Sequence, residues 1–395
     1  MKGPLASLRV LDFTTLLPGP FATMMLADMG ADVLRVEAPN RPDLVRSLPP
    51  FDGESSAWHG VLNRSKRSLA LDLKKPGAPD IVRRLIIDGG YDVVIEQFRP
   101  GVMDRLGIGY ESLQTANPAL VYCAITGYGQ NGPLRDRAGH DINYVSLSGV
   151  MSHSGRIEGG PSPLGVQLAD VGGGSLGALV GLLAAVIQRY ESGEGQLVDI
   201  SMMDMMLAWQ AHIFSQYLVG EEEVEREAAL LNGGSYYDFY ETADGRYLSV
   251  GSLEPKFWLL FCEAIGCPDL VSKGYDLDPQ VKRSLKAELR DAIAGRPLDE
   301  WSEVFAALDA CVEPVLNVAE AAGHPQTKAR NMVVSVPMAD GREQQQVASP
   351  FQFSRGRANY KHTGVKLGAH SSEVLAEVGY KSAEIEAFRG NGLLG

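Results

Sequence analysis

The sequence has few cysteines and no arrangement of them that is typical of a metal site. Four of the 395 residues are cysteine, and the one close pair, Cys262 and Cys267, does not have CxxC spacing. Cys123 and Cys311 stand alone, without a second cysteine or a histidine at zinc-binding distance along the chain. A chain of this length can bury enough apolar surface to fold without a disulfide or a metal. We therefore predict reduced thiols, a cytoplasmic protein and no metal site.

The sequence also lacks an excess of positive charge and a long apolar run. It has 49 acidic and 36 basic residues, for a net charge of -13, which disfavours binding to nucleic acid or to an anionic membrane. A local basic pocket for a small anionic molecule remains compatible with this balance. The first residues, MKGPLASLRVLDF, contain no apolar core of signal-peptide length. The uncharged stretch 171–188 includes five glycines and predicts a buried helix rather than a membrane span.

Short apolar segments alternate with helical segments in the first third of the chain. This alternation predicts a parallel, Rossmann-like sheet. The glycines nearby do not form GxGxxG, so the usual dinucleotide-binding fingerprint is absent. The predicted strands are 8–12, 32–37, 68–73, 91–96 and 120–125.

The later part of the chain has a different pattern. The segment YYDFYETADGRYLSVGS alternates like a strand pair, and Ala243-Asp244-Gly245 supplies the hairpin turn. Helical segments follow at 255–266, 279–294 and 298–308. We predict a second, smaller α+β domain over 225–330, so that the fold class is α/β with two domains.

Two polar segments are candidates for chemistry. The loop GYGQNGPLRDRAGHDINY holds His140 and Asp141, and histidine titrates near neutral pH, which suits proton transfer. Asp170 follows an apolar segment and precedes Gly172 and Gly173, whose backbone N–H groups are candidates for an oxyanion site. A helix N-terminus would keep this carboxylate ionised as a base or nucleophile. A hydrogen-bonded structural histidine and a simple helix cap remain the alternatives.

Basic residues recur through the first domain, beside one aromatic residue. Phe98 lies between Gln97 and Arg99 in EQFRPGVMDRLG, and an aromatic face with guanidinium groups can hold an adenine and its phosphates. The alternative is an ordinary solvated loop. The other basic residues considered for this role are Arg35, Arg64, Lys66, Arg67 and Arg105. The four methionines Met202, Met203, Met205 and Met206 fit core packing or the wall of an acyl groove.

Several of these blocks together resemble the class III CoA-transferase (CaiB/BaiF) and α-methylacyl-CoA racemase family. The resemblance covers nearly the whole chain, in the same order. It rests on LRVLDFTTLLPGPFATMMLADMGADVLRVEAP, LNRSKRSLALDLK, EQFRPGVMDRLG, GYGQNGPLRDRAGHDINY, GVQLADVGGG, GRYLSVGSLEPKFW, CVEPVL and LGAHSSEVLAEVGY.

The resemblance implies an interlocked homodimer whose active site is shared between subunits. It also implies that both chain ends build the large domain. We predict a large Rossmann-like CoA-binding domain over 1–195, a linker helix over 196–224, the small domain over 225–330 and a return to the large domain over 331–395. No cofactor is implied beyond the CoA of the substrate, and the substrate class places the protein in fatty-acid metabolism.

Two activities follow from the resemblance. In the racemases, the residues matching His140 and Asp170 are an acid/base pair that epimerises a 2-methylacyl-CoA, and this sequence keeps the GHDINY motif and its spacing to the Asp. In the transferases, the residue matching Asp170 carries the acyl group, and the histidine is usually missing. Glu254 matches a racemase glutamate near the site, and Asp141 belongs to the same motif as His140. The residues that match CoA contacts are Arg35, Lys66, Arg67, Gln97, Phe98 and Arg105. A CoA-binding relative without catalysis is the third hypothesis.

Overall fold

Two compact units make up the structure, and each is built from separate stretches of the chain. The computed structural model describes residues 3–395. Unit 1 contains the described residues up to 148 together with 164–209 and 326–395, and unit 2 contains 149–163 and 210–325.

The secondary structure is mixed α/β. In chain order, the strands are β1 (Arg9–Asp12), β2 (Asp32–Glu37), β3 (Phe51–Asp52), β4 (Ser55–Ser56), β5 (Arg67–Ala70), β6 (Val93–Glu96), β7 (Val121–Thr126), β8 (Leu197–Ser201), β9 (Asp238–Glu241), β10 (Tyr247–Val250), β11 (Val312–Pro314), β12 (Val333–Pro337) and β13 (Glu343–Val347). The α-helices are α1 (Pro18–Asp28), α2 (Ala57–Leu62), α3 (Ala78–Ile87), α4 (Val102–Arg105), α5 (Tyr110–Gln114), α6 (Asp141–Leu147), α7 (Val150–His153), α8 (Gly177–Ser192), α9 (Met202–Trp209), α10 (Ala211–Gly220), α11 (Pro255–Ala264), α12 (Pro279–Ile293), α13 (Leu298–Ala306), α14 (Val318–Gly323), α15 (Pro325–Ala329), α16 (Ser371–Glu377) and α17 (Ser382–Gly390). Short 3₁₀ helices span Leu44–Ser47 and Pro268–Tyr275, and a π-helix spans Leu168–Leu176.

The centre of unit 1 is a six-stranded sheet in the order β5-β2-β1-β6-β7-β8. Every neighbouring pair in it is parallel. All residues of β6 and β7 are buried, as expected for a parallel sheet that is covered on both faces. The predicted α/β fold with a parallel sheet is confirmed. The strand order reverses between β1 and β6, and in such sheets ligands bind outside the carboxyl ends of the strands at this point.

The chain between the two units differs from the predicted linker helix over 196–224. Leu197–Ser201 is the edge strand β8 and pairs with β7. The helices α9 and α10 follow it, and the first belongs to unit 1 while the second belongs to unit 2. The segment QLVDISMM fits a strand as well as a helix, and pairing of its first part with β7 produces the strand.

The apolar helix after Asp170 is continuous with the π-helix before it. Residues Leu168–Ser192 are long and apolar enough in composition to cross a membrane, and 56% of their most apolar window is buried inside the structure. Burial of that kind is what a core helix shows, as the sequence predicted for 171–188. Val180 and Ile187 lie on its exposed face.

Unit 2 has an antiparallel sheet in the order β11-β10-β9, packed with helices. Its core contains stacked aromatic rings, and the centroids of Tyr236 and Trp258 are 4.0 Å apart. Residues 149–163 join this unit because Arg226 donates hydrogen bonds to the carbonyls of Met151 and Ser154, at 2.7 and 2.8 Å. The predicted hairpin around 243–245 is present as β9 and β10.

Candidate active site

A cavity of about 440 Å³ lies at the carboxyl ends of the strands of unit 1. Loops that follow β1, β6 and β7 form most of its walls, and Asp170 of the π-helix and Met202, the first residue after β8, complete them. The cavity therefore lies where the strand order reverses, which is the expected place for a ligand in this type of sheet. The lining residues are Leu16, Pro18, Gln97, Phe98, Arg99, Pro100, Ile125, Thr126, Gly127, Tyr128, Arg135, Arg137, Ala138, Gly139, His140, Asn143, Tyr144, Asp170 and Met202.

His140 lies at the beginning of α6, with its side chain exposed to the cavity. Its backbone N–H donates to Asn143 Oδ1 at 3.0 Å, and its carbonyl accepts from the Asn143 N–H at 2.8 Å. These two bonds fix the backbone at the first turn of the helix. The imidazole is therefore available to a ligand while its backbone is held in place.

The ring of Tyr144 supports the loop that carries His140. Its hydroxyl donates to the carbonyl of Gly139 at 2.6 Å. A Cβ at Gly127 or Gly139 would lie 2.3 or 2.7 Å from Tyr144 Cε1, so only glycine fits on either side of the ring. Burial raises the pKa of Tyr144 to about 12, and the charge of Asp170 adds to this effect. The tyrosine is thus a neutral hydrogen-bond donor at physiological pH.

Asp170 stands in the first turn of the π-helix and lines the same cavity as His140. Burial, and less strongly the negative charge of Asp141, raise the pKa of Asp170 to about 6, although the nearby His140 opposes the shift. The expectation that a helix N-terminus stabilises the ionised form is not met, because the pKa of Asp170 lies above its ordinary value and the carboxylate is ionised at neutral pH by a smaller margin. A carboxyl group with this pKa exchanges protons readily near neutral pH.

Asp141 acts on Asp170 through the backbone. Its Oδ1 accepts the N–H groups of Ala169 at 2.6 Å and of Asp170 at 3.0 Å. It thereby satisfies two backbone N–H groups in the first turn of the π-helix from the neighbouring helix. Asp141 is not among the residues that line the cavity, so the structure gives it a positioning role rather than the predicted catalytic one.

Gly172 and Gly173 serve close packing of the π-helix. A Cβ at Gly172 would lie 2.2 Å from Trp209 Cη2, and a Cβ at Gly173 would lie 3.1 Å from the carbonyl oxygen of Met202. Both glycines are buried and outside the cavity lining. The prediction that their backbone forms an oxyanion site therefore has no support in the geometry.

The predicted CoA contacts separate into three groups. Gln97 and Phe98 line the cavity, and Arg105 is exposed on α4 but outside the lining. The amide of Gln97 is already engaged, since it accepts from the Gly19 N–H at 3.0 Å and donates to the Thr15 carbonyl at 2.6 Å. It therefore holds the loop after β1.

Three of the predicted CoA contacts are tied to acidic partners. Arg35 is fully buried and forms ion pairs with Glu37 and Asp43. Lys66 is also fully buried, and its ammonium group lies 3.2 Å from Asp12 Oδ2 and 2.7 Å from Thr23 Oγ1. In this structure neither side chain is accessible to a ligand.

Arg67 is held in a similar way at the end of the sheet. It contacts Asp32 at 3.0 Å and Glu377 at 2.8 Å. Its charge is satisfied inside the protein, and it does not line the cavity.

Arg135 and Arg137 were not predicted from the sequence, and Arg99 was considered beside Phe98 for phosphate binding but not included among the residues that match CoA contacts. All three are exposed and line the cavity. The signal was available, because Arg99 adjoins Phe98 and the other two precede His140 in the same polar loop. Together they give the cavity a cationic rim that suits phosphate groups.

Glu254 belongs to unit 2, where it is exposed at the beginning of α11. Its carbonyl accepts the N–H groups of Phe257 and Trp258, both at 3.0 Å. It is not one of the residues that line the cavity of unit 1. Across residues 3–395, no group of three or more His, Cys, Asp or Glu side chains is arranged to hold a metal ion.

The cavity thus combines two groups that can transfer protons with a cationic rim, and known proteins are similar to the chain over almost its whole length. The model of CoA-transferase family III matches residues 5–371. Alpha-methylacyl-CoA racemase from Mus musculus is 36% identical over 389 residues, which cover 96% of this chain and 95% of that protein. Succinate–glutarate CoA-transferase from Agrobacterium fabrum is 35% identical over 390 residues, which cover 95% and 96%.

A solved structure confirms the fold. A CAIB/BAIF family protein from Brucella suis superposes with a TM-score of 0.82 at 29% identity, over 96% of this chain and all of that one. Racemases and CoA-transferases are both similar to this chain, at nearly equal identity. Because the family model and the relatives span almost the whole sequence, the chain belongs to CoA-transferase family III, a family of enzymes that includes the CoA-transferases and the acyl-CoA racemases.

Proposed function

We propose that this protein is an epimerase that interconverts the (2R) and (2S) forms of a 2-methylacyl-CoA thioester. The observation that carries the proposal is the presence of His140 and Asp170 in the wall of one cavity. Inversion at carbon requires that a proton leave one face and return to the other, so two acid/base groups are needed. The pKa of Asp170, raised by burial to about 6, suits a group that works in both directions.

The reaction would proceed through an enolate. One base removes the α-proton, the electron pair of the C–H bond moves to the thioester oxygen, and the second group returns a proton to the opposite face. By analogy with the family, His140 accepts the proton of the S substrate and Asp170 that of the R substrate. The exposed arginines Arg99, Arg135 and Arg137 would bind the phosphates of CoA. Proton transfer at the α-carbon of a thioester needs only the acid/base pair, so the proposal includes no cofactor beyond the CoA of the substrate.

A family III CoA-transferase is the second candidate, favoured by the presence of Asp170 in the cavity and by the similarity to succinate–glutarate CoA-transferase. Here the Asp170 carboxylate would attack the thioester carbon and release CoA thiolate, leaving a mixed anhydride. The thiolate would then attack the aspartyl carbonyl to give an enzyme-bound thioester and the free carboxylate. This route leaves His140 without a role, which is why we favour the epimerase.

The test is incubation of a single epimer of a 2-methylacyl-CoA in deuterated water, followed by proton NMR of the α-hydrogen. We expect enzyme-dependent deuterium uptake with loss of stereochemical purity. The variants Asp170→Asn and His140→Ala should each abolish epimerisation.

Other outcomes separate the two candidates. Absence of uptake across several acyl lengths, with acyl transfer to a free carboxylate and an acyl group trapped on Asp170 by hydroxylamine, would establish the transferase. In that case His140→Ala should leave transfer largely intact. Binding of CoA thioesters with neither reaction, and with no effect of Asp170→Asn, would support a non-catalytic relative.

The proposal includes a homodimer with a shared active site, as the family resemblance implies. In support, α10 of unit 2 has the apolar sequence AHIFSQYLVG and no buried residue. An apolar helix in water gains free energy when a partner covers it. Light scattering of the purified protein tests this, and a mass near 42.6 kDa at micromolar concentration would contradict it.

A further inference from the structure

Leu16 adopts a backbone conformation that a leucine rarely has. Its φ angle is 60°, in the left-handed region where a Cβ is crowded by the backbone. Its side chain is 38% exposed and lines the cavity. Glycine or asparagine would adopt this conformation at lower cost, so neither backbone preference nor burial explains a leucine here.

Buried polar groups hold Leu16 in this conformation from two sides. Its N–H donates to Asp43 Oδ2 at 2.8 Å, and Asp43 is itself fixed by an ion pair with the buried Arg35. On the other side, the amide of Gln97 bonds to the Thr15 carbonyl and to the Gly19 N–H. The loop is therefore rigid before any ligand arrives. Strain that is maintained by its surroundings in this way is typical of functional sites.

The loop of Leu16 continues directly into the wall next to Asp170. Pro18, two residues later, accepts a hydrogen bond from Ser175 Oγ at 2.6 Å through its carbonyl oxygen. A Cβ at Gly174 would lie 3.0 Å from Pro18 Cβ and 3.1 Å from Met202 Sδ. Pro18 and Met202 therefore pack on the helix that carries Asp170, and both line the cavity. With Leu16 they form an apolar wall, whereas the arginines are part of a cationic rim.

We propose that Leu16 is a specificity-determining residue, whose rigidly held side chain borders the substituent on the α-carbon of the acyl group and limits its size. The inference rests on the proposed acyl-CoA substrate, because the phosphates of CoA fit the arginine rim and the acyl group then lies towards the apolar wall. A fixed side chain selects by size more sharply than a mobile one, since it does not move aside for a larger ligand.

The experiment measures dissociation constants by titration calorimetry for free CoA and for 2-methyl-, 2-ethyl- and 2-propylhexanoyl-CoA. The variants are Leu16→Gly, which removes both the side chain and the strain, and Leu16→Ala, which removes only the side chain. Ile87→Ala is the matched control, because Ile87 has the same number of carbon atoms, is 60% exposed on α3 and lies outside the cavity lining.

Wild type and Ile87→Ala should prefer the 2-methyl over the 2-propyl thioester. Both Leu16 variants should reduce that preference by about tenfold, which is the usual effect of one or two methylene groups in a fitted pocket, with unchanged affinity for free CoA. An unchanged preference in both variants, or an equal loss of affinity for free CoA and all thioesters, would overturn the inference. Failure of the wild type to bind any thioester would instead refute the acyl-CoA substrate, and the inference with it.

Discussion

The carboxylate of Asp141 affects Asp170 in two ways that mutation can separate. It accepts two backbone N–H groups at the start of the π-helix, and its charge raises the pKa of Asp170, in addition to the larger effect of burial. Asp141→Asn keeps an oxygen that accepts both hydrogen bonds but removes the charge. The pKa of Asp170 should therefore fall from about 6 towards its ordinary range.

The expected consequence is a shift in the pH profile of deuterium exchange. When Asp170 acts as the base it must be ionised, so kcat/KM falls as the pH drops through its pKa. In Asp141→Asn this acid limb should move to lower pH, by a fraction of a unit to about one unit. Asp141→Ala also loses the acceptor and should lower the melting temperature, whereas the Asn variant should not. An acid limb at the same pH in Asp141→Asn would show that the charge of Asp141 has no influence.

The sequence predicts which residues could do chemistry at this site, but it does not show which side chains form ion pairs with them in the fold. His140 and Asp170 were predicted as an acid/base pair, and the structure brings them to one cavity. Arg35 and Lys66 were predicted to bind CoA, yet both are buried beside carboxylates. The sequence carries the charge of each residue but not the acidic group that lies across from it in the fold, so an internal ion pair and a ligand contact look alike.

The π-helix depends on its glycines for contact with α9. Trp209, at the end of α9, occupies the space that a side chain at Gly172 would need. We expect Gly172→Ala to lower the free energy of unfolding by about 1–3 kcal/mol, because overpacking forces the neighbouring side chain to move. In a Trp209→Ala background the same substitution should cost less than about 1 kcal/mol, since the space is then empty.

A double-mutant cycle by urea unfolding measures this coupling. The wild type, the two single variants and the double variant provide the four free energies. Gly165→Ala is a suitable control, because a Cβ at Gly165 meets no atom within 4 Å. If the changes in free energy of unfolding caused by Gly172→Ala and Trp209→Ala are additive, the π-helix and α9 move apart at little cost, and the predicted coupling is absent.

The elements of unit 1 were predictable where local pattern and final environment agree. The segments 8–12, 32–37, 91–96 and 120–125 have the length of strands, and each overlaps a strand of the sheet. β8 was missed because its sequence runs into the methionines of α9 without a turn signal. The π-helix was also missed, because its start is set by Asp141, 27 residues before Leu168, rather than by a residue of its own segment.

The elements of unit 2 were predictable from local sequence, but the full set of segments that belong to it was not. Unit 2 was predicted from its own hairpin and helices, and these are present. It was not predicted that residues 149–163 belong to unit 2, because their place in that unit depends on contacts of Arg226 and Arg156. Such contacts join positions more than 70 residues apart, and no local pattern records them.

The distribution of charge over the whole protein gives a last prediction. The chain has a net charge of -13, which repels an anionic acyl-CoA at a distance, while Arg99, Arg135 and Arg137 are exposed at the cavity. Binding should therefore depend on these local charges. Arg99→Gln should raise the Kd for an acyl-CoA by about tenfold, the cost of one charge-assisted hydrogen bond. It should also reduce the dependence of log Kd on log salt concentration.

Arg330→Gln is the control that separates local from global charge. Arg330 is exposed and lies outside the cavity lining, and each variant loses one positive charge, which changes the net charge from -13 to -14. If the rim acts locally, only Arg99→Gln weakens binding and flattens the salt dependence. Equal effects of the two substitutions would mean that the ligand responds to the net charge of the protein. That result would contradict binding of the CoA phosphates at the cavity. Because screening acts over about 8–10 Å at physiological ionic strength, we expect the local effect.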